Sequence, residues 1–217
     1  MVSGNIDVTR TPEATRGGEQ SNSDIVVWLT PIHPNSAFTS QPQHAQLLQK
    51  DKMFHPHTLV ITAGTTVDFP NADPIFHNAF STFDGQIFDV GLYPPGTSRS
   101  VRFRKSGIVR VFCNIHPSMF AIIVVVDTPY FTKAGRDGRY RLMNVPPGEY
   151  ELHVFDERAT QEPTSQMLVS VDETQSVVTP SPIHLSEAGY VQLPHKNKYG
   201  LDYPPSSETD TYIGPPK

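Results

Sequence analysis

The sequence predicts an all-β protein, and three observations carry that expectation. The chain has 21 prolines in 217 residues, about twice the usual share of roughly 5%. Proline is tolerated at strand edges and turns and punished inside helices, which excludes a helical bundle. Short runs rich in β-branched and aromatic residues recur at close spacing. Explicit turn signals separate them: Ala63-Gly64, Asp84-Gly85, Pro94-Pro95-Gly96, Ser106-Gly107, Asp137-Gly138 and Pro146-Pro147-Gly148.

In order, strands are expected at Asn5–Thr9 and Asp24–Thr30, with a long polar loop from Thr11 to Ser23 around Gly17-Gly18. Next come Ala45–Lys50, His57–Thr62, Thr66–Pro70, His77–Ser81, Ile87–Leu92, Arg99–Arg104, Ile108–Cys113 and Ala121–Asp127. Gln41 to Met53 also admits a helical reading through Ala45, Leu47 and Leu48. Pro42 and Pro56 bracket it closely, and a strand is preferred. Ile122–Val126 is continuous and β-branched, the pattern of a strand buried on both faces. Further strands are expected at Arg139–Met143, Tyr150–Asp156, Gln166–Val171 and Ser176–Thr179. From Glu187 to Lys217 apolar residues thin out while Pro and Tyr remain, which reads as an extended arm over the body with its last ten residues frayed. No internal repeat is evident.

Apolar residues make up 37% and charged residues 18% of the chain, both low, but 12 Phe, 8 Tyr and 1 Trp argue for packed cores. The net charge of −5 gives no basic footprint, so nucleic acid is not an expected partner. The longest apolar run, Met119 to Val126, falls far short of the ~20 residues that span a bilayer, so no membrane span is expected. Met1-Val2-Ser3-Gly4 passes at once into polar sequence and does not read as a signal peptide. Cys113 is the single cysteine, which rules out an intramolecular disulfide and leaves a thiol for chemistry.

The informative segment runs Val109-Arg110-Val111-Phe112-Cys113-Asn114-Ile115-His116-Pro117-Ser118-Met119. A strand ends in Cys113, a short loop carries His116 and Met119, and another strand begins. His77, within Asp73-Pro74-Ile75-Phe76-His77-Asn78, opens a strand upstream. A thiolate, a thioether and two imidazoles select copper over calcium or magnesium, and two His plus Cys with a weak axial Met is a blue-copper ligand set. Zinc is the other candidate for Cys and His, but Met is a poor zinc ligand. Taken singly, a buried Cys is more often a small hydrophobe; the upstream His-Asn pair is what raises the metal reading.

Val60-Ile61-Thr62-Ala63-Gly64-Thr65-Thr66-Val67-Asp68-Phe69-Pro70-Asn71, His77-Asn78 and Cys113 to Met119 together resemble a cupredoxin of the plastocyanin and amicyanin type. The short Cys-x-x-His-Pro-x-Met loop is similar to that of amicyanin. The resemblance covers roughly Ala45 to Val126. It implies a Greek-key β-sandwich with copper bound by His77, Cys113, His116 and Met119. Met53-Phe54-His55-Pro56-His57 departs from that pattern. His55 and His57 would share a face on a strand, as extra ligands or as surface residues beside a proline kink, with His57 the better candidate.

Asp137-Gly138-Arg139-Tyr140-Arg141-Leu142, Pro146-Pro147-Gly148 and Tyr150-Glu151-Leu152-His153-Val154 resemble a carboxypeptidase regulatory-like, transthyretin-type β-sandwich. The two strands with which such a module begins are lacking after Asp127 but present near the N-terminus. A cupredoxin inserted in a second, smaller sandwich follows: 1–36 and 127–186 form the discontinuous sandwich, 37–126 the copper domain and 187–217 the arm. Ile25, Val27 and Leu29 should then share a core with Tyr140, Leu142, Tyr150, Leu152 and Val154, with Trp28 on the opposite face. A fragment from about Ala37 to Asp127 should fold alone. The whole arrangement resembles bacterial two-part proteins described as methylamine-utilisation-like.

The expected role is that of a mononuclear copper electron carrier, not an enzyme, working with an unidentified redox partner protein. Copper storage or delivery, and a surface-binding module, are the competing classes. The family resemblance implies an exported, periplasmic setting.

Overall fold

The computed structural model describes residues 1–10, 22–33, 43–82, 85–160, 167–174, 177–191 and 195–203. Most of the expected Thr11–Ser23 loop, the 36/37 boundary and the end of the arm that is expected to fray lie outside these residues. Among them the chain is strand and turn, with one short 3-10 turn at Asn22–Asp24. The strands are β1 (Val2–Thr9), β2 (Val26–Pro31), β3 (His44–Gln46), β4 (Leu48–Lys50), β5 (Met53–His55), β6 (Thr58–Thr62), β7 (Thr66–Pro70), β8 (Phe80–Ser81) and β9 (Phe88–Asp89). They continue as β10 (Ser98–Arg102), β11 (Gly107–Phe112), β12 (Phe120–Val126), β13 (Phe131–Lys133), β14 (Arg139–Leu142), β15 (Gly148–Phe155), β16 (Met167–Val171) and β17 (Ile183–Ser186). The all-β class predicted from the sequence is the class observed.

Two sandwiches account for all of these strands but β4 and β5, which form a two-stranded hairpin. One pairs the sheet β14-β1-β17 with the sheet β13-β2-β15-β16. The chain leaves it after β2 and returns at β13, which lies antiparallel to β2. Its core joins Ile25, Val27 and Leu29 to Tyr140, Leu142, Tyr150 and Leu152. Gly138 sits at φ +81 in the Asp137-Gly138 turn, where a Cβ would collide with the Ile6 carbonyl oxygen. The other sandwich pairs β10-β7-β3 with β6-β12-β11-β8-β9. Its core includes Leu47, Val67, Phe69, Tyr93, Phe103, Val109 and Val111.

β12 is buried on both sides, as its unbroken β-branched run predicts. Ala121, Ile123 and Val125 face the core of their own sandwich. Ile122, Val124 and Val126 face Val26 and, with Trp28, Phe131 and Phe155 of the other sandwich, form a third apolar layer. Trp28 therefore turns toward the inserted sandwich, and its ring stacks on His153 at 5.0 Å and 13°. Lys133 spans the two sandwiches by donating to the Asp24 carboxylate and the Thr58 carbonyl, each at 3.0 Å.

Several strand boundaries differ from expectation, for local reasons. Ala45–Lys50 is broken at Leu47 into β3 and β4, which join different sheets. His77–Ser81 and Ile87–Leu92 shrink to β8 and β9, with His77 and Tyr93 forming an isolated bridge. There the Asp89 carboxylate takes the amide of Asn78's side chain and the Gly91 N–H in place of ladder bonds. At the expected Ser176–Thr179 strand, whose first residue lies outside the described ones, Val178 makes only an isolated bridge to Val2. The strand parallel to β1 is instead β17, close behind Pro180 and Pro182. β5 and β13 were not expected. β5 returns from β4 through Asp51 and Lys52, both at positive φ (57° and 56°), the conformation of a two-residue hairpin turn.

Candidate metal centre

β11 and β12 are register-paired up to Phe112 opposite Phe120, so residues 113–119 form the connecting loop. Two backbone bonds close it: Cys113 N–H donates to the Met119 carbonyl at 3.0 Å, and Met119 N–H to the His116 carbonyl at 3.1 Å. This holds the three candidate ligands of the loop close together, with Cys113 and Met119 at its two ends. His77 reaches them from the segment before β8, held by reciprocal backbone bonds with Tyr93.

The ligand atoms of His77, Cys113 and His116 all lie within 4.8 Å of one another. Nδ1 of His77 is 3.8 Å and Nδ1 of His116 is 3.6 Å from the Cys113 sulfur. Those separations suit one ion bonded to all three at about 2.0–2.3 Å. The two imidazole centroids are 4.9 Å apart. Cys113, His77 and Met119 are fully buried, and His116 is half-buried. Met119 packs in the same apolar cluster as Cys113. The donor set fits copper: two imidazoles and a thiol together, with a thioether on the same loop.

Burial pushes the Cys113 thiol up, but the backbone amides of Ile115, Asn78 and His116 work in the opposite sense by favouring thiolate. A metal cation would complete what those amides begin, because a coordinating thiol is deprotonated outright. Burial also lowers the His77 pKa, against the pull of Asp73, and leaves a neutral imidazole. Its one N–H donates from Nε2 to the Asp73 carboxylate at 2.8 Å, which leaves the Nδ1 lone pair for the site.

Asp73 is the residue the sequence reading missed. Its carboxylate takes the His77 N–H and also the amides of Asp51 (2.7 Å) and Lys52 (2.9 Å). Burial works against its charge, but the Lys52 amide, the His77 N–H and the Asp51 amide hold it below the usual carboxylate range. One side chain thus orients a candidate ligand and holds the positive-φ turn between β4 and β5. Its place four residues before His77 was the only signal in the sequence.

His57 does not join the group. Its Nε2–H donates to Glu157 of the other sandwich at 2.6 Å, and its ring lies edge-on to Phe120 at 4.9 Å. Burial lowers its pKa, yet Glu157 overrides this and the net shift is upward, favouring an ion pair over a metal ligand. His55 is exposed, 3.2 Å from the Lys50 carbonyl.

The C-terminal arm reaches the loop at residues 195–203. Tyr203 donates its hydroxyl to the Cys113 carbonyl at 2.6 Å, and the His195 ring lies 4.5 Å from that of Phe112. No helix among the described residues is long and apolar enough to cross a membrane.

No family model and no curated protein matches this sequence. Among solved structures, the chain is similar to a purple cupredoxin from Nitrosopumilus maritimus, at 25% identity over 37% of this chain and 98% of that one, with a TM-score of 0.34. It is also similar to amicyanin from Paracoccus versutus, at 20% identity over 45% of this chain and 96% of that one, with a TM-score of 0.36. A third is a copper-containing nitrite reductase from Thermus scotoductus SA-01, at 25% identity over 46% of this chain and 26% of that one, with a TM-score of 0.38.

Proposed function

We propose that this chain is a mononuclear copper protein of cupredoxin type and that it carries electrons instead of catalysing a reaction. One observation carries the reading: two histidine Nδ1 atoms face a single buried cysteine sulfur at 3.8 and 3.6 Å, with a buried methionine on the same loop. Copper held there would supply a one-electron redox centre. The protein's own part is to keep the donors still. Asp73 fixes the His77 ring, backbone amides face the Cys113 sulfur, and two backbone bonds close the 113–119 loop.

His116 is the half-buried ligand and the natural port for exchange. Pro74, Phe76 and Pro117, on the two ligand-bearing segments, are exposed and suit docking of a redox partner protein. Residues 1–36 and 127–186 are read as one regulatory-like sandwich interrupted by the copper unit. An exported setting, such as a periplasm, suits a copper–thiolate centre. Storage or delivery is the competing role; the bonded loop, with Cys113 and Met119 buried at its two ends, favours a resident ion over a cargo.

The test is titration of metal-free protein with Cu(II). One equivalent should bind and produce an intense thiolate-to-copper charge-transfer band. A tight colourless zinc complex, with no such band from copper, would refute the reading. Rapid removal of Cu(I) by a chelator would shift it to delivery.

A further inference from the structure

We propose that residues 195–203 form a strap that belongs to the metal site, with Tyr203 as its main positioning residue. This rests on the copper reading, but its first test does not need the metal.

The strap has a shape of its own. The Asn197 carboxamide oxygen accepts the amides of Tyr199 (2.9 Å) and Leu201 (3.1 Å). The Asn197 N–H donates to the Leu201 carbonyl, and the Gly200 N–H to the Asn197 carbonyl, both at 2.9 Å. A self-braced turn of this kind transmits a constraint; a draped tail does not.

Its anchors fall on the neighbours of two ligands. The Tyr203 hydroxyl donates to the Cys113 carbonyl at 2.6 Å. The Lys198 amide donates to the Asn114 carboxamide oxygen at 2.9 Å, one residue further along the loop. The Lys198 ammonium donates to Asp89 at 2.8 Å, and Asp89 in turn accepts from the Asn78 carboxamide at 2.7 Å. Asn78 follows His77, and its backbone amide faces the Cys113 sulfur. The strap therefore ties the Cys113 loop to the His77 segment, two pieces of chain that are distant in sequence.

Simple apolar packing does not account for this contact. Tyr199 and Leu201, the large residues at the centre of the turn, are 68% and 63% exposed. Apart from the His195 ring on Phe112, what the strap directs inward are hydrogen-bond donors, aimed at the backbone and side chains beside the ligands. For an electron carrier the consequence is a ligand set that moves little when its charge changes.

The experiment compares wild type, Tyr203→Phe, Lys198→Met and the outward control Leu201→Ala, whose side chain is 63% exposed. The first readout, on metal-free protein, is the rate at which a small aromatic disulfide reagent modifies Cys113. Tyr203→Phe and Lys198→Met should raise it about three- to tenfold, the change in local opening that loss of one net hydrogen bond gives. The second is the position of the charge-transfer band after Cu(II) loading, which Tyr203→Phe should shift and Leu201→Ala should not. Unchanged thiol rates in both strap variants overturn the proposal whatever the metal does. A faster thiol with an unshifted band also overturns it, because the strap is then a cover and not a positioning element. A wild-type protein with no copper band refutes the copper reading alone, since the thiol rates are measured without metal.

Discussion

Replacing Ile122 with Ala tests whether the two sandwiches unfold as one. Ile122 is fully buried, and it lies in the apolar layer between the sandwiches and not in the core of either. An Ile→Ala change at such a site costs about 2–5 kcal/mol. Val26, Ile122, Val124 and Val126 are each at most 2% exposed. At about 1.5–3 kcal/mol per side chain their burial contributes about 6–12 kcal/mol, as an upper bound. That rivals the whole stability of an ordinary domain, about 5–15 kcal/mol. Cutting out the inserted sandwich would expose three of these side chains, so the fragment from about Ala37 to Asp127 should be far less stable than the intact chain. In urea, Ile122→Ala, Ile123→Ala and Leu152→Ala should each lower one common midpoint by about 1 M or more. Trp28, the single tryptophan, reports the layer by fluorescence, while circular dichroism reports both sandwiches. Suppose instead that Leu152→Ala creates an early transition and leaves a second one at the wild-type midpoint. The sandwiches are then independent and the coupling argument fails.

Three further outcomes follow from the site and its surroundings. Asp73→Asn should weaken copper binding about 10- to 100-fold in competition with a chelator, because the His77 ring loses its charged acceptor; an unchanged affinity would remove Asp73 from the site. Phe76→Lys should slow electron exchange with a protein partner while leaving the visible spectrum in place, and equal rates would move the port elsewhere. Burial, joined by the Glu187 charge, raises the Asp156 pKa to about 6 from an ordinary 3.8 despite bonding from Arg158. A raised folded-state pKa means that the contribution of this group to stability is fully present below pH 3.8 and is lost as pH rises through about 6. Asp156→Asn should abolish that decline in a pH series of thermal melts and leave the protein more stable at pH 7, and a series that keeps the wild-type slope would reject the assignment.

Local pattern carried much of the fold. Alternation placed Ile25, Val27 and Leu29 on one face, and the unbroken run in β12 foretold burial on both sides. β17 was missed because its four residues sit among prolines and its parallel partner is at the other end of the chain. β5 was missed because Lys52 stands where a positive-φ hairpin turn usually has glycine. Asp51 and Lys52 adopt that turn where the Asp73 carboxylate collects both amides, a contact no local reading contains.

The grouped ligands divide along the same line. The spacing of Cys113, His116 and Met119 puts three candidate donors on one short hairpin loop, which keeps them near one another. His77 could be named because its segment resembles a ligand strand. His57 stayed open between a ligand and a surface residue, because nothing near it in sequence announces that Glu157 will accept from its ring. Sequence alone determined which residue types could hold a metal and which strand faces are apolar, because periodicity and short loops act over a few residues. Only the tertiary structure decided that Asp73 aims His77, that Tyr203 anchors on Cys113 and that Val26 meets Ile122, because those contacts join segments whose separation leaves no local trace.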